Sequence, residues 1–281
     1  MGDHANLWFE GGSDALIISF DNLATIDEGW PRGPWLHSRL APLGHSLLGV
    51  QSHAKDWFRN PTTPALLQGL VDLGFFQRFH SIVMVGASMG GFGALNMAPL
   101  IPGARVLAFS PQSTMNKTIA PFEARFPFAV RKSNWDLPQY LDAAAAVPLI
   151  PQVTLVYDPF VPEDRAHAAR LNGPNVQLLA VQHCTHEAVR VILKSGAILP
   201  LLAALVAGDT VGRAFWHSFR ARRSVTKWQR ALLAAAATRG RPHFVVRAAN
   251  AMLAAGADLP DEDLTFIRRA RRAAMTQISA G

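Results

Sequence analysis

A chain of 281 residues in which 49% of side chains are hydrophobic and 17% charged carries enough apolar surface for a sizeable core, which excludes disorder over most of its length. A single cysteine, Cys184, excludes an internal disulfide framework and a cysteine-rich zinc site. The formal net charge of +7 is uneven: residues 1–204 hold 14 Lys/Arg against 15 Asp/Glu, and residues 205–281 hold 13 against 5.

The chain opens on Met1-Gly2-Asp3-His4-Ala5-Asn6, which has no basic-then-apolar signal, and Asn6 fails the Ser/Thr requirement of a myristoylation motif. A cytoplasmic protein without a lipid anchor is expected. The longest apolar run, residues 197–207, contains Pro200 and falls far short of the roughly 20 residues a transmembrane helix needs. From about residue 6 to 205, short apolar runs alternate with amphipathic ones, the pattern of parallel strands joined by crossover helices. Strands are predicted at 7–10, 15–20, 46–51, 81–85, 105–109, 153–157 and 176–181. Several are apolar almost throughout, as strands covered on both faces should be. Helices are predicted at 64–73, 89–98, 137–146, 162–171 and 187–195. The segment 112–136, rich in Phe and interrupted by Pro121 and Pro127, reads as a short insertion over one end of the sheet.

After Gly208 no strand signal remains. Helical patterns run over 211–222, 225–237, 242–255 and 261–276, with Pro242 and Pro260-Asp261 as start signals and Gly256 as a stop. The division expected is therefore an α/β domain over 1–208 and a basic helical extension over 209–281, whose four helices suit a small bundle. Only a vague echo between Ala231-Leu232-Leu233 and Ala251-Met252-Leu253 hints at a repeat. Phe215 and Phe219, four apart, with Trp216, Trp228 and Phe244, suggest burial against one another or against the sheet. The clustered positive charge suits an anionic partner, and the helices suit a homodimer contact. Arginines outnumber lysines 22 to 5 and alanine is abundant, a bias that coding composition alone produces, so nucleic acid is not the expected partner.

Chemistry concentrates in Val85-Gly86-Ala87-Ser88-Met89-Gly90-Gly91, which contains G-x-S-x-G between an apolar strand and a helix-compatible run. Ser88 would occupy a sharp strand-to-helix turn, with Gly86 and Gly90 relieving side-chain collisions. A phosphate-binding loop fails on residues: no Lys-Ser/Thr pair follows Gly90, and no G-x-G-x-x-G is present. A serine nucleophile needs a base, and the base needs a partner to fix its tautomer. Asp158 ends the strand at 153–157 and is the favoured acid; Glu163 and Asp164 fall in the first turn of the following helix, where acids commonly serve the dipole. His186, just before the helix at 187–195, is favoured over His183 as the base. Cys184 reads as a small buried residue, and His80 as a packed or surface one.

In this order, Ser88, Asp158 and His186 make the chain resemble the α/β-hydrolase superfamily over roughly residues 6–205. The resemblance implies a mostly parallel twisted sheet flanked by helices, with reduced N-terminal strands and a short cap. It implies that Ser88 is the nucleophile, His186 the general base and then acid, and Asp158 the orienting acid, with the Met89 backbone N–H forming half of an oxyanion hole. The second donor is placed at Asn22 or its neighbour; the family's frequent His-Gly is missing there. The resemblance implies a serine hydrolase of carboxylesterase type acting on a small-molecule acyl substrate, with no cofactor and no metal. An acyltransferase using the same residues, and a binding scaffold whose tail docks an anionic partner, are the alternatives. Trp35, Trp57, Phe58, Phe122, Phe126 and Phe128 are candidates for an acyl pocket, and Arg59 or Arg131 for an acidic substrate.

Overall fold

The computed structural model describes residues 4–255 and 260–280. Seven strands form one sheet: β1 (Ala5–Glu10), β2 (Ser13–Phe20), β3 (His45–Ser52), β4 (Ser81–Ala87), β5 (Arg105–Phe109), β6 (Val153–Tyr157) and β7 (Val176–Ala180). Their order is β1-β3-β2-β4-β5-β6-β7. The edge strand β1 runs antiparallel to β3, and every other pair is parallel. All seven strands lie where the apolar runs of the sequence place them.

The central strands are apolar on both faces because each face has its own helical cover. Leu16, Ile18 and Phe20 of β2 and Ile82 and Met84 of β4 point into one layer, while Ile17, Val83 and Val85 point into the other. This is the two-residue alternation of a strand, with both sides dry. The first layer holds α1 (Thr62–Asp72) and α2 (Met89–Met97), with Leu67, Phe92 and Leu95 buried. On the opposite face lie α4 (Ala188–Lys194), α5 (Ile198–Ala207) and α6 (Arg213–Phe219), with Val191, Leu201 and Phe215 buried. Between them in sequence, α3 (Pro162–Arg170) connects β6 to β7.

Two segments differ from the sequence expectation. The helix predicted at 137–146 is only the turn Ala143–Ala146, started where the Asp142 carboxylate accepts from Ala144 N–H at 3.1 Å. Residues before it are drawn out by the Arg59 guanidinium, which donates to the carbonyls of Asn134, Leu137 and Gln139. The apolar run 197–207 is the helix α5, whose apolar face lies on the sheet. It follows α4 at a bend of 98°, and among the described residues no single helix is long and apolar enough to cross a membrane.

The four tail helices do not share one core. Phe215 and Phe219 of α6 stack at 5.5 Å and join the layer beneath the sheet. The other three, α7 (Thr226–Thr238), α8 (Pro242–Ala255) and α9 (Asp261–Ala280), close around Leu233, Val245, Ala249 and Ile267. Trp216 packs its ring on Phe215 at 4.8 Å, yet it and Phe244 keep 43% and 37% of their surface exposed. The helix stop proposed at Gly256, and Met1, Gly2 and Asp3 of the opening stretch, lie outside the described residues.

Candidate active site

The turn between β4 and α2 places Ser88 at φ 52° and ψ −115°, a backbone region that non-glycine residues avoid unless their surroundings hold them there. What holds it is visible. Ser88 N–H donates to the Phe109 carbonyl of β5 at 2.8 Å, and the Ser88 carbonyl accepts from Phe92 N–H at 3.0 Å as α2 begins. A Cβ on Gly86 would lie 2.1 Å from the Gly90 carbonyl oxygen, and one on Gly90 2.7 Å from that of Phe20. Both glycines are therefore steric requirements of the turn.

Ser88 Oγ lies 3.0 Å from His186 Nε2. On the other side of the ring, His186 Nδ1 lies 2.8 and 3.0 Å from the two carboxylate oxygens of Asp164. An acceptor at Nδ1 places the ring proton there and leaves the Nε2 lone pair facing the serine hydroxyl. Asp164 is buried, so its charge acts on the ring through little water.

The acid beside His186 is thus Asp164, which corrects the expectation for Asp158. The Asp158 carboxylate is taken up by backbone donors, Phe160 N–H at 3.0 Å and Thr185 N–H at 2.7 Å. It closes the turn after β6 and tethers the residue preceding His186. The chain then advances into the first turn of α3, where Asp164 faces the imidazole. His183, the other candidate base, packs against Phe160 and Trp228 with ring centroids 4.9 and 6.1 Å away.

Asp164 has a second partner. Arg125, from the segment between β5 and β6, donates from Nη1 to Asp164 Oδ1 at 2.7 Å, and its Nε donates to Glu123 Oε1 at 3.0 Å. Burial would lower the Arg125 guanidinium, yet the Glu123 and Asp164 carboxylates hold it above its ordinary range. Burial would likewise raise Glu123, but hydrogen bonds from His167 and Arg125 outweigh it and hold the carboxyl down at about 2. His167 is itself buried; its Nδ1 accepts from Ser113 N–H at 3.0 Å, so its Nε2–H donates to Glu123 Oε2 at 3.1 Å.

Gln112 also reaches the serine. Trp57 Nε1–H donates to Gln112 Oε1 at 3.1 Å, which turns the amide so that its Nε2 donates to Ser88 Oγ at 3.0 Å. No local motif marks Gln112, Glu123 or Arg125: apart from the Glu123–Arg125 pair, their contacts cross long stretches of chain.

Ser88 opens into a cavity of about 210 Å³ lined by Asn22, Leu23, Ala24, Phe126, His186 and Arg190, among others. Met89 N–H is the first amide of α2, a position without an intrahelical acceptor. Asn22, the expected second donor, is occupied: its N–H donates to Thr25 Oγ1 at 3.0 Å, and its side-chain carbonyl accepts from Ala24 and Thr25 N–H. The neighbouring Leu23 N–H has no partner among the described residues.

Of the aromatic candidates, Phe126 lines this cavity, its ring 5.9 Å from that of His186. Trp35 is core, Trp57 and Phe58 are fully buried, Phe122 packs on His167 and Phe128 is exposed. Arg59 is committed to the three carbonyls named above, and Arg131 sits over the Phe128 ring. Cys184 is buried, and burial first, then the Asp158 charge, pushes its thiol up to about 12. His80 is a surface residue paired with Asp14 at 3.0 Å. Among the described residues no group of three or more His, Cys, Asp or Glu side chains is placed to hold a metal ion.

No protein-family model matches the sequence. No curated protein matches it either. The solved structures do. MPT51 (FbpC1) of Mycobacterium tuberculosis superposes with a TM-score of 0.52 at 15% identity, covering 71% of this chain and 92% of that one. The capsule O-acetyltransferase of Neisseria meningitidis serogroup A gives 0.50 at 11% identity, again over 71% and 92%. Est1E of Butyrivibrio proteoclasticus, solved with ferulic acid bound, gives 0.47 at 14%, over 72% and 96%. The chain has the α/β-hydrolase fold, with a helical region added at its C-terminal end.

Proposed function

We propose that this chain is a serine hydrolase acting on acyl esters, with Ser88 as nucleophile, His186 as general base and acid, and Asp164 as the orienting carboxylate. The observation that carries the reading is the unbroken line from Ser88 Oγ through His186 Nε2 and Nδ1 to Asp164, with steps of 3.0 and 2.8 Å, on the strained turn after β4.

Chemically, Ser88 Oγ attacks the ester carbonyl as its proton passes to His186 Nε2. A C–O bond forms to Oγ and the carbonyl oxygen becomes an oxyanion. Met89 N–H and Leu23 N–H are the donors we assign to it, at the start of α2 and beside β2. Loss of one such donor typically costs about 3 kcal/mol of barrier. The intermediate collapses, the C–O bond to the alcohol breaks, and the Nε2 proton goes to the leaving oxygen. A water, deprotonated at the same nitrogen, then attacks the acyl-enzyme and restores Ser88. Asp164 keeps Nδ1 protonated throughout and stabilises the imidazolium.

At about 210 Å³ the cavity at Ser88 is smaller than the roughly 300–1,000 Å³ of sites that hold drug-sized ligands, which favours a short acyl group. Acyl transfer uses the same residues with an acceptor hydroxyl in place of water, and the fold likeness to an O-acetyltransferase favours keeping it as the second reading. Hydrolysis of 4-nitrophenyl acetate by the wild type, lost in Ser88→Ala, tests the activity. Product analysis with added alcohols or sugars separates hydrolysis from transfer.

A further inference from the structure

The tail helices meet the α/β body next to the candidate base. Lys227 of α7 pairs with Glu187, Trp228 Nε1–H donates to the Gln182 carbonyl at 2.9 Å, and the Arg239 guanidinium lies 4.3 Å from the Phe160 ring centroid. Each body partner lies on the loop that carries His186 or the one that carries Asp158. Between α4 on the body and α7 and α9 on the tail runs a groove of about 790 Å³, several times the volume of the cavity at Ser88. Arg190 lines both, and Thr185, immediately before His186, lines the groove.

The groove is positively charged. Five cations line it, Arg39, Arg190, Lys194, Lys227 and Arg230, against the lining acids Glu262 and Asp263. Glu187 neutralises part of this by pairing with both Arg190 and Lys227, and Asp263 pairs with Arg230 at 3.1 Å. Arg39 and Lys194 have no carboxylate partner among the described residues. Arg39 and Lys194 are thus unpaired, and five cations against the three acids Glu187, Glu262 and Asp263 leave the groove an excess of two positive charges. A concave surface with excess charge of one sign concentrates ligands of the other.

Mechanism decides which part of a substrate reaches this groove. The leaving oxygen takes its proton from His186 Nε2, so the alcohol portion departs on the imidazole side, where Thr185 and Arg190 lead into the groove. The acyl portion stays in the small cavity. We propose that the substrate is a short acyl ester of a larger alcohol bearing carboxylate, sulfate or phosphate groups, bound through Arg39, Lys194 and Arg190 in this groove. The inference rests on the acyl-ester reading and deepens it.

Acetate release from O-acetylated trigalacturonate, compared with the same sugar carrying methyl-esterified carboxyls, tests the assignment. At low salt the charged sugar should be preferred by about tenfold or more in kcat/KM, and screening at high salt should bring the ratio toward unity. The variant Arg39→Glu/Lys194→Glu should lose the preference while retaining its thermal melt. Equal kcat/KM for the two sugars, or a preference that survives charge reversal, overturns the proposal. Calorimetric binding of trigalacturonate and of inorganic tripolyphosphate to Ser88→Ala reads the groove without turnover, so an inactive wild type would count against the acyl-ester reading alone. Failure of both anions to bind overturns the groove assignment whether or not esters are hydrolysed.

Discussion

Asp164 Oδ1 accepts at once from His186 Nδ1, at 2.8 Å, and from Arg125 Nη1, at 2.7 Å. One buried oxygen therefore joins the candidate base to the segment that covers the site. That segment is itself anchored through Glu123 to His167 and through His167 to Ser113. The orientation of the imidazole depends on residues far from it in sequence.

Two carboxylates can be told apart by the same substitution. Asp164→Asn should lower kcat by about four orders of magnitude, because an amide stabilises the wrong tautomer of His186 and cannot balance the imidazolium. Phe160 N–H and Thr185 N–H bond different oxygens of Asp158, so Asp158→Asn keeps an acceptor for only one of them. Its kcat should stay within about tenfold of wild type, with a stability loss of about 1–3 kcal/mol from the amide left without an acceptor. Ester hydrolysis and denaturant unfolding of both variants provide the comparison; the reverse ranking would restore Asp158 as the orienting acid.

Arg125 is a positioning residue: its Nη1 holds Asp164 Oδ1 at 2.7 Å and lies 3.2 Å from His186 Nδ1. Arg125→Met leaves the buried Glu123 and Asp164 carboxylates without their cation and should cost about 3 kcal/mol of stability. It should also lower kcat more than it changes KM, because Asp164 is freed to turn away from the ring. Arg125→Lys restores charge but not the fork that spans two carboxylates, so kcat should recover only in part. Unfolding midpoints together with kcat and KM for the three proteins check this; a purely structural arginine would leave kcat of the folded fraction unchanged.

The Glu123 carboxyl, held at about 2 against an ordinary 4.5, makes stability depend on acid. Its folded value is depressed, so its contribution is complete above about pH 4.5 and is lost as pH falls toward about 2. Thermal melts across this window should show a drop that Glu123→Gln reduces. An equal drop in that variant would assign the acid sensitivity elsewhere.

The strands were legible because each is a short apolar run covered on two sides, and the Ser88 turn because its glycines are sterically compelled. Asp164 was not. Local pattern pairs an acid at a strand end with the crevice and an acid in a helix's first turn with the dipole. Here the loop 158–164 reverses those roles, because Asp158 spends its oxygens on backbone amides. Gln112 and Arg125 carry no signal either: they meet Ser88 and Asp164 across 24 and 39 residues, separations at which sequence spacing says nothing of distance. For the tail's first helix the sequence left two covers open, its own aromatic rings or the sheet, and both are used. Phe215 and Phe219 mark an apolar face, but what covers that face depends on the sheet beneath α5 and α6.

The central claim is that Ser88 is an activated nucleophile. Reaction of the native protein with a fluorophosphonate, followed by peptide mass spectrometry, tests it most directly. The account predicts one adduct on the peptide containing Ser88, absent in Ser88→Ala and strongly slowed in Asp164→Asn. Labelling of equal extent in wild type and Ser88→Ala, or no labelling of the wild type at all, would contradict it.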